Sequence, residues 1–389
     1  MIRFEPRGEV PRWVNVAVPF ASIVLAMVVA GIVLAATGHN PLTTYHHIVQ
    51  ASITQPGALA QTLVAMTPLL FTGLAAAVAF RMRVWNIGGE GQLYIGAIGA
   101  AGVGLWLQNL PAPVVVLAMV VGGMLAGSLW AAIPGALRAY LNTNEILTSL
   151  MLNYVAGYLM YYLIYDSASY WRDLTSPAAR VFPQGKFLPS SGTWPPLHLG
   201  NLLVPLGLLI GIGLAVALWE MIRATRYGFE MRVMGDSPRT ATYAGMRTKR
   251  KILSLMMLSG ALAGLAGASQ IGDFGHTLDP RGLQQAGFGY AGIVVAALAR
   301  YNPLAVVVTA FFLGALTNAG FALQGPGFPT GLTGTIEGIL LFCVLGAELF
   351  TRYRIRVQRS GAAAPAAASR VPVPATTLAS AGPDPGEAP

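Results

Sequence analysis

The 389-residue chain is 54% hydrophobic and only 10% charged, with a mean hydropathy of +0.59, whereas a soluble globule is about a quarter charged. That balance excludes a soluble domain and specifies an all-α, polytopic membrane protein, so the net charge of +9 reports where cations sit relative to the bilayer and not a nucleic-acid partner. One cysteine, Cys343, excludes an intrachain disulfide.

Arg3, Arg7 and Arg12 lead into an apolar run at 14–37, longer than a signal-peptide core of about 7–15 residues. Residues 1–13 therefore read as a cytoplasmic amino terminus and the run as a retained first span. Crossing a hydrocarbon core takes about 20 apolar residues. Further runs lie at 57–80, 84–107, 114–137, 145–165, 201–222, 252–271, 286–299, 303–323 and 331–350. About ten spans result, in a transmembrane domain covering 14–350. The run 286–299 would extend only about 21 Å as helix, which makes it a half-helix completed by the irregular stretch before it. Threaded with the amino terminus inside, 20 of the 24 Lys and Arg fall on the cytoplasmic side, as the positive-inside rule requires. Both termini are then cytoplasmic. The five histidines come out externally with no zinc-like spacing, and no metal site is expected.

The segment Arg81-Met-Arg-Val-Trp-Asn-Ile-Gly-Gly-Glu-Gly-Gln92 stands apart, because it places Asn86, Glu90 and Gln92 at the start of a span. A carboxylate there costs roughly 2.5–3.5 kcal/mol on insertion scales. Gly88, Gly89 and Gly91 each cost about 1 kcal/mol relative to Ala in a helix, so the helix is expected to break. Broken backbone at membrane depth must be buried in protein or line a wet cavity. One reading is a translocation pathway; the other is a kinked structural helix whose Glu90 is protonated and bonded to a neighbour. An inverted repeat is suggested by the matching irregular stretch at 272–290.

The pairs Gly123-x-x-x-Gly127, Gly260-x-x-x-Gly264 and Gly334-x-x-x-Gly338 predict close helix contacts. Gly287-Phe-Gly-Tyr-Ala-Gly292 follows no strand, so no dinucleotide cofactor is implied. The external loop 166–200 either meets an external partner or caps the bundle. The cytoplasmic loop 223–251 holds eight cations and a short helix at 238–244, capped by Asp236-Ser237-Pro238 and ended by Gly245. It serves either as a docking element or as a charged topology anchor. The segment 351–389 starts basic and becomes Ala/Pro-rich, a composition of disordered tails. No phosphate loop and no enzyme motif occurs. The chain is therefore read as a non-enzymatic subunit with no catalytic residues or cofactors, its energy source lying elsewhere.

Three stretches carry a family resemblance: Asn86-Ile-Gly-Gly-Glu-Gly-Gln92, Asn144-Glu145-Ile-Leu-Thr-Ser-Leu-Met-Leu-Asn153-Tyr154, and the segment from Gly228 through Arg232, Gly235, Pro238, Ala241 and Ala244 to Gly245. Over roughly residues 12–352 the chain resembles the permease subunits of bacterial ABC importers for nucleosides and simple sugars, in the branched-chain amino acid/ribose permease-like superfamily. The resemblance implies a type II ABC importer-like fold in the inner membrane. It also implies three protein partners: an ATP-binding subunit, a second permease in a heterodimer, and an extracytoplasmic substrate-binding protein. The third stretch would be the segment that couples to the ATPase. Trp85 stands where the family has phenylalanine. Nucleosides are the expected cargo, with ribose or another simple sugar as the alternative. Trp85, Asn86, Glu90, Gln92, Asn153, Tyr154, Asn318 and Glu337 are the candidate pathway residues; for Asn153, Tyr154 and Asn318 interhelical hydrogen bonding is the favoured alternative. A proton-coupled transporter using Glu90 and Glu337 and a structural scaffold are the competing classes.

Overall fold

The computed structural model describes residues 2–6, 14–200, 202–323, 331, 334–336, 338, 339, 342, 343, 346 and 353–357. Strand β1 (Ile2–Pro6) precedes helix α1 (Val14–Ala36). Asn40 accepts from the amide of Leu42 at 3.0 Å and starts α2 (Pro41–Val49), with Pro41 at its first position. Helix α2 and the π-helical turn Gln50–Thr54 bend back from α1 by 118°. This element lies in what the sequence pattern marked as an ordinary external loop. Its apolar residues are too few to form a run, so hydropathy alone misses it.

Helix α3 (Ala58–Arg81) is buried over most of its length and forms the axis of the bundle. The chain then breaks at 82–88, where Arg83 takes a positive φ of 57°, and α4 (Gly89–Trp106) starts five residues later than the apolar run suggested. Helix α5 (Ala112–Leu141) ends at Asn142, whose φ of 54° is left-handed. Asn144 then caps α6 (Glu145–Tyr161), which a π-helical turn extends to Asp166.

The connection after α6 contains α7 (Pro177–Val181) and a hairpin of β2 (Leu197–Leu199) and β3 (Leu202–Val204). Trp171 donates its indole N–H to the carbonyl of Ile98 at 2.9 Å. Trp194 is almost fully buried against Gly272. The loop is thus a folded cap over the bundle. Within it the Asp173 carboxylate accepts from the hydroxyl of Thr175 and the amides of Thr175 and Ser176. Hydrogen bonds from Ser176 and Thr175 hold that carboxyl well below the usual range.

Helix α8 (Leu206–Ala224) is followed by α9 (Arg226–Asp236) and α10 (Pro238–Tyr243). Helix α11 (Thr248–Ser269) continues through a π-helical turn, Gln270–Gly275. Then come α12 (Pro280–Ala286), α13 (Phe288–Leu298) and α14 (Pro303–Ala322). At 11 residues, α13 rises about 16 Å, a half-span. Strand β4 (Tyr353–Val357) pairs antiparallel with β1, joining the two ends of the described chain on one side.

Glycines set the tightest packing. A Cβ on Gly264 would collide with the carbonyl of Gly123, one on Gly127 with that of Gly260, and one on Gly96 with the backbone of Gly264. Helices α4, α5 and α11 therefore touch backbone to backbone, as two of the three spaced glycine pairs predict. For the third pair, a Cβ on Gly334 or Gly338 would meet nothing within 4 Å among the described residues.

Among the described residues, six segments are long and apolar enough to cross a membrane alone, or seven with the bent α1–α2 pair. The expected count of about ten is not confirmed by length and apolarity alone. Helix α4 carries Glu90 and Gln92 in place of an apolar start, α13 is half-length, and much of 331–350, like 358–389, lies outside the described residues.

Candidate functional site

The break before α4 is held by side-chain amides. Asn86 and Gln92 bond reciprocally, each donating its amide N–H to the other's carbonyl at 3.0 Å. Asn86 also donates to the hydroxyl of Ser259 at 2.9 Å and accepts from the amide of Gly88 at 3.0 Å. Ser259 in turn donates to the carbonyl of Ala75, so the break is tied to α11 and α3. With 3% and 1% exposure, these two amides are turned toward each other and away from open space. Their geometry is that of an internal brace, in contrast to the pathway-lining role expected for them.

Asn153 on α6 performs the same service from the other side. Its carbonyl accepts from the amide of Gly91 at 2.9 Å, and its amide donates to the carbonyl of Ile87 at 2.9 Å and to the hydroxyl of Tyr290 at 3.3 Å. Gly91 is required here, since a Cβ would lie 2.9 Å from the Asn153 backbone.

Glu90 connects the two breaks. At 2% exposure its carboxylate accepts from the hydroxyl of Tyr94 at 2.6 Å and from the backbone N–H of Gly289 in the first turn of α13. A half-helix inside a membrane leaves its first amides without intrahelical partners, and an acidic side chain at that end meets both the free N–H and the positive end of the dipole. The acid 199 residues away in sequence therefore closes the start of the half-helix.

Beside this junction lies a cavity of about 680 Å³. Glu90 and Asn153 line it, and the rest of its lining is largely tyrosine: Tyr94, Tyr154, Tyr158, Tyr161 and Tyr290, joined by Gln284 of α12 and Asp166. It extends along α6 from Asn153 to Asp166, about 20 Å at 1.5 Å per residue. Tyr154, at 57% exposure, looks onto it. Tyrosine faces stack on flat or ring-shaped solutes while their hydroxyls hydrogen-bond. Only Glu90, Asn153 and Tyr154 of this set were singled out from the sequence. The stripe Tyr154, Tyr158 and Tyr161, spaced at i, i+4 and i+7 on one helix, was the available signal.

Asn318 is elsewhere, donating to the carbonyls of Ala51 and Ala58 and to the hydroxyl of Thr62. It borders a separate cavity of about 330 Å³ with Phe274, Phe288 and Phe321. Trp85 packs on Phe80 with ring centroids 4.7 Å apart, outside the tyrosine cavity. Glu337 lies outside the described residues.

In the loop expected to be cytoplasmic, α10 is capped by Ser237, whose hydroxyl accepts from the amide of Thr240, and ends before Gly245 at φ +74°. The second group of candidates divides in two. Gly228, Gly235 and Ala241 are buried, and a Cβ on Gly228 or Gly235 would strike the Ile222 or Arg81 carbonyl. Half-buried Arg232 donates to the carbonyl of Ile222 and fastens α9 to α8. Pro238, Ala244 and Gly245 are exposed, together with Tyr243 at 93%. The first set builds the platform and the second forms its outer surface.

A family model described as the branched-chain amino acid transport system / permease component matches residues 58–345. The glucose ABC transporter permease protein TsgB13 of Haloferax volcanii is 31% identical over 387 residues, covering 95% of this chain and 97% of its own. The guanosine ABC transporter permease protein NupP of Bacillus subtilis is 29% identical, covering 91% and 99%. The nucleoside ABC transporter permease protein NupB of Lactococcus lactis is 28% identical, covering 85% and 90%.

Proposed function

The chain belongs to the family of branched-chain amino acid transport system permease components, and on that premise we propose that its cargo is a nucleoside. It is the membrane subunit of an ABC importer and not itself an enzyme. It resides in the cytoplasmic (inner) membrane and works with an ATP-binding subunit and a substrate-binding protein. Membership in this family removes the proton-coupled and scaffold readings.

The observation that carries the nucleoside reading is the tyrosine-walled cavity with two acids and two amides. Base–aromatic stacking supplies about 1–3 kcal/mol per base. Glu90, Asn153 and Gln284 offer hydrogen-bonding groups for ribose hydroxyls or base edges. Binding is expected to be weak, since a conduit must release what it admits. Two relatives named for nucleosides support the same reading. A hexose is the second reading, because TsgB13 is named for glucose and tyrosine also stacks on sugar rings.

Residues Leu147, Met151, Tyr154, Val155 and Tyr158 leave one face of α6 exposed beside this cavity. A second permease chain covers that face in the proposed assembly, closing the cavity into a central pathway. Alternating access then proceeds by ATP-driven movement of α10, with exposed Tyr243, Ala244 and Gly245 against the ATPase. The test is uptake of labelled guanosine, uridine, ribose and glucose by cells expressing the complete transporter, with an intact or catalytically dead ATPase. ATPase-dependent nucleoside uptake is expected; uptake of sugar alone would replace the nucleoside by the hexose reading.

A further inference from the structure

A second cavity, of about 700 Å³, lies on the cytoplasmic side where α9, the segment after α10 and the start of α11 meet. Its charge is one-sided. Arg226, Arg247, Arg250 and Lys251 line it against one carboxylate, Glu230. That carboxylate is already shared, bonding Lys251 at 2.5 Å and Arg226 at 3.1 Å, while the Lys251 ammonium also sits over the Tyr227 ring. Arg247 and Arg250 have no ion-pair partner among the described residues, and both are exposed.

The depth of the cavity identifies what could answer this charge. The segment Thr248–Gly275 has 28 residues, about 42 Å of helix against a hydrocarbon core of about 30 Å. The excess of about 12 Å belongs to the end carrying Lys249, Arg250 and Lys251, which puts these cations at headgroup level. Neighbouring residues show the same boundary: Lys249 lies over Tyr140 and Arg223 over Trp219, the pairing of cations with aromatic residues typical of a membrane interface. Exposed Phe229 and half-buried Met246 add an apolar shoulder to the cavity.

We propose that this cavity binds the phosphate of an anionic phospholipid from the inner leaflet, with Arg247 and Arg250 as its principal contacts. Lipid composition thereby acts on the segment joining α10 to α11. The ligand grips Arg247 and Arg250 within five residues of Gly245, the left-handed residue that ends α10.

The test uses the complete transporter in nanodiscs of phosphatidylcholine with or without phosphatidylglycerol, with retained lipid read by native mass spectrometry. Phosphatidylglycerol is expected to be retained over phosphatidylcholine. A juxtamembrane cation contributes about 1 kcal/mol, so Arg247→Gln and Arg250→Gln should each weaken retention about 5-fold, and together about 25-fold. Glu230→Gln, which deletes the one lining carboxylate among the described residues, should strengthen it, and Arg239→Gln on α10 should leave it unchanged. Equal retention of the two lipids would overturn the proposal. Displacement by millimolar inorganic phosphate would assign the cavity to a soluble anion instead. If the double variant sheds the ATP-binding subunit with lipid retention intact, the cavity receives an acidic group of that subunit. The gain expected in Glu230→Gln guards against loss of binding through misfolding.

Discussion

Replacing Gln92 by leucine separates a brace from a pathway. The substitution keeps volume but deletes the reciprocal pair with Asn86, two hydrogen bonds at 3.0 Å between groups shielded from water. Asn86 keeps Ser259 and the Gly88 amide as partners, so neither of its polar ends is orphaned. At about 1 kcal/mol net per hydrogen bond, the loss is about 2 kcal/mol. An unfolding entropy of about 2.1 cal/mol/K per residue, applied to roughly 320 ordered residues, converts this to a fall in Tm of about 3 °C. The assay is thermal unfolding of the purified protein in detergent, followed by tryptophan fluorescence, beside KM for uptake in vesicles. A lower Tm with unchanged KM is expected. An unchanged Tm with a KM raised tenfold would show that Gln92 touches cargo, and the brace would be refuted.

Tyr158→Ala should do the opposite, raising KM for a nucleoside about tenfold through lost stacking at unaltered Tm; an equal loss of both would make it a packing residue. Gly264→Val forces a branched side chain into the Gly123 carbonyl, an overpacking cost of about 1–3 kcal/mol or more, and should reduce membrane accumulation; normal accumulation would mean that α5 and α11 separate easily. Tyr243→Ala alters a residue with almost no contacts, so folding should persist while uptake and retention of the ATP-binding subunit fall more than tenfold, as for an interface anchor. Hydrogen bonding from Lys251, with help from Arg226, holds the Glu230 carboxyl below its ordinary range. Its stabilising contact is therefore fully present above the unfolded carboxylate value of about 4.3 and is lost as pH falls through the lower folded value. Amide exchange in α9, corrected for intrinsic rate, should stay flat from about pH 7 to 5 and rise in stronger acid. Loosening already near pH 6, or an identical profile in Glu230→Gln, would remove Glu230 as the cause.

Local chemistry was legible in the sequence wherever it was self-contained. Ser237 before Pro238 and Gly245 after Ala244 announced α10 because capping is decided within a few residues. Glycines within one turn announced a break, but it falls at 82–88, and Gly89 and Gly91 are already helical. The destination of the polar groups was not legible. Nothing near Asn86 indicates that its amide ends on Ser259, 173 positions on, or that Glu90 closes a helix beginning at Phe288. A buried amide and a pathway amide have the same composition, and only folding separates them. The bent α2 escaped notice for a related reason: its residues are polar enough to resemble a loop, and its helicity depends on the Asn40 cap and on Tyr45 bonding back to the Met27 carbonyl.

The backbone contacts among α4, α5 and α11 have a mechanical consequence. Side chains between helices act as a compliant layer, since rotamers can change as one helix slides over another. Where Gly96, Gly127 and Gly264 meet main chain directly, that layer is missing, and sliding would drive carbonyl against Cα. The trio therefore behaves as one stiff plate. Relative motion in this part of the fold is displaced to its margins, to α6 with its row of tyrosines and to the short α12 that presents Gln284 to the cavity.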